Sequence, residues 1–208
     1  MGEVVKAEDL LIRINEMISC QKVEDAKTYF YSNKGKVQIT TEVAILNQLF
    51  CIYDLEKGKN IQKNFFENIV SVEEAIDRYE TIKFFLRRVE FDLPVEAEMQ
   101  QYIIDNTISW VAILQIIKGC IVDKVNTIKK ISLFLFERHH IDAALNLLLY
   151  AYRLQPEDEE ILYNLAYIFC LNKNYKLANA FAEKIKAIDA DIEELKIIIE
   201  RGLENEGQ

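Results

Sequence analysis

Apolar residues recur at helical spacing along almost the whole chain. Leu10, Leu11, Ile14, Met17 and Ile18 form one stripe, and Val23, Ala26, Tyr29 and Phe30 form a second, so Ala7 to about Phe30 predicts a helical hairpin. Ser32 to Lys36 reads as a loop around Gly35. Val37 to Thr40 is strand-like in composition, but a strand without a partner is disfavoured, and Thr40 or Thr41 serves better as a helix cap. From Glu42 to Leu55 the spacing of Ile45, Leu46, Leu49, Phe50, Ile52 and Tyr53 predicts one helix with a broad apolar face. Lys57 to Lys59 ends it, with Gly58 free to take a left-handed cap. Ile61, Phe65, Phe66 and Ile69 predict a short following helix. Ser71 and Glu74 have capping-box spacing, and the helix they open, roughly 20 residues long, runs to about Phe91. Pro94 is expected to open the next helix, with Met99, Tyr102 and Ile103 on its face. Ser109 to Cys120 is apolar almost all round and predicts a deeply buried helix.

The clearest pattern lies further on. In Glu159 to Ala190, Leu162, Leu165, Ala166 and Phe169 share one helical face, Leu171 to Tyr175 break it, and Ala178, Ala182 and Ile185 restart it. Shifted back by about 34 residues, the same rule places Ile128, Ile131, Ser132 and Leu135 in a first helix and Ala144, Leu148 and Ala151 in a second. Two consecutive helix pairs thus share one register. Small residues at Ala144, Ala151, Ala166 and Ala178 let antiparallel helices approach to roughly 8–10 Å. Pro156 ends the first pair, because it lacks the N–H and its ring clashes with the preceding turn. Asp191 to Glu194 is a second capping-box pattern, and Ile192, Leu195, Ile198 and Ile199 predict a final helix that covers the stack.

The order of residues in Tyr163 to Phe169 and in Asn174 to Ile185 resembles the first and second helices of a tetratricopeptide repeat. The resemblance covers about Val125 to Asp191, with departures at Ser132, Ile141 and Ala190, and Ala7 to Phe30 resembles a degenerate copy in which Arg13 stands at a usually apolar position. It implies an all-α fold: a right-handed α-solenoid of antiparallel helix pairs with an irregular helical middle and a C-terminal capping helix. Residues 1–124 are expected to hold the degenerate hairpin and non-repeat helices, and 125–208 two repeats and the cap, as one continuous solenoid. Ala26 and Ala144 are not separated by a multiple of the repeat period, so the middle of the chain must break the register.

In that family the concave groove is lined by first-helix residues that do not pack on the second helix. Carried over by position, these are Asn126, Lys129, Lys130, Leu133 and Phe136 in one unit, and Glu160, Tyr163, Asn164, Tyr167 and Leu171 in the next. The two lysines and the asparagine resemble part of a clamp for a peptide's terminal carboxylate, although Leu133 departs from it. The resemblance implies a non-enzymatic adaptor that binds a protein or peptide segment. The tyrosines suit binding, since they bury a large area at small rotamer cost. Against this, such grooves often receive the protein's own helices. Separately, Tyr79 to Pro94 and the helices after it resemble the helical C-terminal extensions of some bacterial family-2 glycosyltransferases, which implies an alternative: an accessory region that aids acceptor binding or assembly of such an enzyme.

Charge and candidate chemistry change this picture little. With 208 residues, half of them apolar, the chain can build a large core, and 6 Gly and 2 Pro argue against a sheet-rich fold. The net charge of −9 excludes a nucleic-acid role built on clustered Lys and Arg. Gln155 to Gln208 carries 12 acidic against 6 basic residues, so the C-terminal end is the negative end. Cys20, Cys51, Cys120 and Cys170 form no CxxC pair and read as small core residues in a reducing, cytoplasmic setting. No secretory signal is seen, and the longest apolar run, Ile108 to Ile117, is too short to span a bilayer. His139 and His140 adjoin a turn, Gly119 and Cys120 have no local base, and Asp189 and Asp191 join two helices, so no catalytic site, metal site or cofactor is expected. Arg87 and Arg88 diverge by about 100° on one helix, which favours a solvated face plus an ion pair over a shared anion site.

Overall fold

The computed structural model describes residues 6–59, 61, 64–105, 109–187 and 189–206, and among these it holds eleven α-helices, one short 3-10 turn and no strand. The chain divides into two compact units, Met1–Cys120 and Ile121–Gln208.

The first unit contains α1 (Ala7–Ser19), α2 (Val23–Asn33), a 3-10 turn (Lys34–Lys36), α3 (Thr41–Gly58), α4 (Val72–Glu90), α5 (Ala97–Asp105) and α6 (Trp110–Cys120). The first two helices pair, as their stripes predict: Leu10, Ile14 and Ile18 are buried against Ala26 and Phe30. Phe30 packs on Phe50 of α3 with ring centroids 5.3 Å apart, and Phe50 stacks on Phe66 at 5.8 Å. Helices α3, α4 and α6 pack mutually, and the apolar α6 buries Val111 to Leu114, Ile116 and Ile117. Thr40 caps α3 by accepting from the Val43 N–H.

Four local features of the structure differ from the sequence expectation. Gly58 is the last residue of α3, and no described glycine has a positive φ. Residues 65–68 form turns rather than a helix, because side chains capture their backbone groups: Glu56 accepts from the Phe65 N–H, while Arg78 donates to the carbonyls of Phe65 and Glu67. Ser71 does accept from the Glu74 N–H, but the Glu74 carboxylate reaches past Ser71 to the Val70 N–H. Pro94 lies outside any helix, and its carbonyl is held by the Arg88 guanidinium; α5 begins at Ala97. The cysteines also differ from expectation. Only Cys170 is buried, whereas Cys120 is half-buried and Cys20 and Cys51 are exposed.

The second unit contains α7 (Lys124–Glu137), α8 (Ile141–Leu154), α9 (Glu159–Leu171), α10 (Tyr175–Ala182) and α11 (Ala190–Glu206). Neighbouring helices pack in chain order, α7 on α8, α8 on α9, α9 on α10 and α10 on α11. Every member of the two apolar sets is buried, from Ile128 and Ala144 in the first pair to Leu162 and Ala178 in the second. Asp123, Asp158 and Asn174 cap α7, α9 and α10. The cap of α11 is Asp189, which accepts from the Ile192 N–H, and not Asp191. Gly202 of α11 lies under the Tyr175 ring, so closely that a Cβ would collide with it.

Three hairpins share one turn that contains no glycine. Gln21, His139 and Lys173 each take a left-handed conformation, with φ of 58°, 65° and 58°. In each, the left-handed residue's N–H bonds to the carbonyl three residues back, and the next N–H reaches five back: Lys22 to Met17, His140 to Leu135, and Asn174 to Phe169. This is the helix-ending motif that satisfies orphan carbonyls while turning the chain by a fixed angle. The α1–α2 hairpin therefore has the turn geometry of the α7–α8 and α9–α10 pairs, although it lies outside their register.

Candidate peptide-binding groove

A pocket of about 200 Å³ lies between α7 and α9 and reaches α8 at Leu148. Helix α7 contributes Ser132, Leu133 and Phe136, and α9 contributes Tyr163, Asn164 and Tyr167. Leu148 and Ile168, both buried, complete its lining. The aromatic rings are mutually braced: Phe136 meets Tyr167 edge to face at 5.9 Å, and Tyr163 stacks on Tyr167 at 6.2 Å. Tyr163 also packs against Leu162, Ile185 and Ile192, so its ring is held from behind. Tyr167 and Leu133 remain exposed at the mouth.

The pocket gathers five of the ten expected groove residues, Leu133, Phe136, Tyr163, Asn164 and Tyr167. The others lie elsewhere. Lys129 is turned to α9, where its ammonium is 2.6 Å from Glu160 and 3.1 Å from Asp158. Burial pulls the Lys129 pKa down, but the two carboxylates outweigh it, so the net direction is upward and the charge is fully kept. Asn126 sits in the first turn of α7 beside its cap Asp123, Lys130 is half-buried without lining the pocket, and Leu171 is exposed at the end of α9. The Tyr163 phenol is pushed above its ordinary range, first by burial and then by Asp191, Tyr167, Asp189 and Glu194. Its surroundings are therefore acidic.

Ser132, Leu148 and Ile168 were not among the expected groove residues. Ser132 did carry a signal, as a small polar residue inside an apolar set. Its hydroxyl is buried without a hydrogen-bond partner, as is that of Thr127. Elsewhere, Arg87 pairs with the Glu90 carboxylate at 2.9 Å, while Arg88 turns to Pro94 and the Phe84 ring, so the two guanidiniums point to different partners. His139 occupies its turn and Asp189 its cap. Among the described residues no group of three His, Cys, Asp or Glu side chains is placed to hold a metal, and no helix is long and apolar enough to cross a membrane.

Comparison with known proteins adds no relative: no family model, curated protein or solved structure matches the chain.

Proposed function

We propose that the chain is a non-enzymatic, tetratricopeptide-like adaptor whose second unit binds a protein segment, with one large apolar side chain entering the pocket between α7 and α9. The observation that carries this reading is the braced Phe136–Tyr167–Tyr163 cluster around an open pocket on two first helices. Rigid aromatic walls of this kind give up large contact area on binding and lose few rotamers. The version in which the groove takes an acidic segment or a terminal carboxylate is weakened, because Glu160 and Asp158 already meet the charge of Lys129. The alternative, an accessory region of a glycosyltransferase, rests on the resemblance of Tyr79 to Pro94.

A peptide array screened against the intact chain, repeated with Tyr167→Ala and Leu133→Arg, tests the adaptor reading. A central aromatic contact removed at Tyr167 is expected to cost about 2 kcal/mol, roughly 30-fold in Kd. Unchanged binding in both variants would move the surface elsewhere. Selective binding to a purified transferase domain would favour the accessory reading, and sugar transfer by this chain alone would overturn both.

A further inference from the structure

The first unit carries a second open surface with a different chemistry. Leu11 and Ile12 of α1 and Val72 and Ile76 of α4 form the apolar floor of a groove of about 520 Å³. Ile12 is 60% exposed, Leu11 and Ile76 are half-buried and Val72 is buried at the bottom of the groove, so the four make one apolar patch that is open to water at Ile12. Four carboxylates stand around this floor, Glu16, Glu42, Glu73 and Asp77, and no Lys or Arg lines it.

Part of this acidity has a local cause. Glu42 and Glu73 sit in the first turns of α3 and α4, where carboxylates favour the positive end of the helix dipole. That accounts for their presence and not for the lack of counter-charge. Glu16 is met by Arg13 at 2.5 Å, but no ammonium or guanidinium of the described residues pairs with Glu42, Glu73 or Asp77. Glu73 and Asp77 are one helical turn apart on the same ridge, a spacing at which like charges repel. The Glu42 carboxyl is held below its ordinary range by hydrogen bonds from Thr40 and its own backbone, so it is ionised at neutral pH.

We infer that this groove docks a cationic amphipathic segment of another protein, its apolar residues on Leu11, Ile12, Val72 and Ile76 and its Lys or Arg side chains against Glu42, Glu73 and Asp77. The apolar floor provides affinity. The rim provides selection, relieving an unmet repulsion only when the incoming charge is positive. The same rim repels phosphate backbones and anionic lipid surfaces. The inference stands apart from the pocket of the second unit, and it supplies what an adaptor needs, a second surface that chooses a different partner.

The test uses the full chain and a fluorescein-labelled synthetic helix of Leu and Lys at helical spacing, with a Leu and Glu counterpart, followed by fluorescence anisotropy. The double reversal Glu73→Lys/Asp77→Lys is expected to weaken binding of the basic peptide by about ten-fold or more, while Glu200→Lys/Glu204→Lys, an equal charge change on α11, changes it by less than about two-fold. Ile12→Ser weakens it several-fold without altering net charge, and Glu73→Gln/Asp77→Asn repeats the charge arm should the reversal disturb folding. Amide shifts in 15N spectra confined to the neighbourhood of Ile12, Val72 and Ile76 support the site. Equal losses from both reversals, equal binding of the acidic peptide, or no binding at all would each overturn the inference. So would self-association of the chain that is abolished by Ile12→Ser, since the occupant would then be a second copy.

Discussion

The ammonium of Lys129 lies 2.6 Å from the carboxylate of Glu160, two residues that the repeat resemblance assigns to the groove lining of successive units. Lys129 is only 15% exposed and also meets Asp158, the cap of α9, so the contact fastens α7 to the start of the next pair. Lys129→Met is expected to destabilise the chain by about 1 kcal/mol, at the upper end for a partly exposed pair, and by less in high salt. Because its folded pKa is raised, this contribution is complete at neutral pH and lost only as pH climbs through the alkaline range. Urea melts at two salt concentrations measure it; a neutral Lys129→Met would mean that the ion pair does not fasten the two helices.

Glu56 is 1% exposed, accepts from the Phe65 N–H at 2.8 Å and from the Ser109 hydroxyl, and has no cationic partner in those contacts. Burial raises its pKa more than the two hydrogen bonds lower it. The native carboxyl thus binds its proton more tightly than the unfolded one, and stability falls as pH rises from about 4.5 through the raised native value. Glu56→Gln preserves both contacts, its amide oxygen facing Phe65 and its nitrogen donating to Ser109. The variant is expected to lack this component of the pH dependence and to match or exceed the parent at neutral pH. Glu56→Ala should instead lose about 2–4 kcal/mol, from a cavity and an unpaired Phe65 N–H. Unfolding free energies across a pH series separate these outcomes, and identical slopes in parent and Gln variant would refute the assignment.

Gly202 lies inside α11, at a position where alanine would raise helix propensity by about 1 kcal/mol. The Tyr175 ring occupies the space a Cβ needs. Gly202→Ala is therefore expected to destabilise by about 1–3 kcal/mol, with Tyr175→Ala/Gly202→Ala recovering part of the loss relative to Tyr175→Ala alone. A double-mutant cycle in thermal melts reads this coupling, and additive effects would mean that the ring yields freely.

The buried hydroxyls of Ser132 and Thr127 have no partner. Ser132→Ala and Thr127→Val remove the polar atom while nearly keeping shape, and each is expected to leave stability unchanged or raise it by up to about 1 kcal/mol. A clear loss in denaturant melts would reveal a water or backbone partner for that hydroxyl.

Left-handed backbone at Lys173 carries a steric penalty that glycine does not. The Lys173→Gly variant should gain up to about 1 kcal/mol in equilibrium unfolding, the relief of strain exceeding the added unfolded-state entropy. A loss would show that the Lys173 side chain contributes more than the turn costs.

The sequence alone determined the elements whose causes are local. The apolar sets of Ile128 to Ala151 and Leu162 to Ile185 located four helices and their buried faces, since periodicity reports which side of a helix leaves water, and Thr40, Ser71 and Pro156 marked boundaries through bonds or clashes within a few residues. Periodicity also put Leu133, Phe136, Tyr163, Asn164 and Tyr167 off the buried faces of α7 and α9, and these five line one pocket together with Ser132, Leu148 and Ile168. Only the tertiary structure decided how side chains distant in the chain use one another. Lys129 turned to Asp158 and Glu160, Glu56 and Arg78 kept Phe65 to Asn68 from forming a helix, and Tyr175 took the space above Gly202. The shared left-handed turns at Gln21, His139 and Lys173 were invisible in sequence because none is glycine. Their left-handed backbone is held by the two N–H bonds that close each turn. Charge pairing and close packing of this kind depend on which helices become neighbours, and a linear pattern of apolar positions does not contain that information.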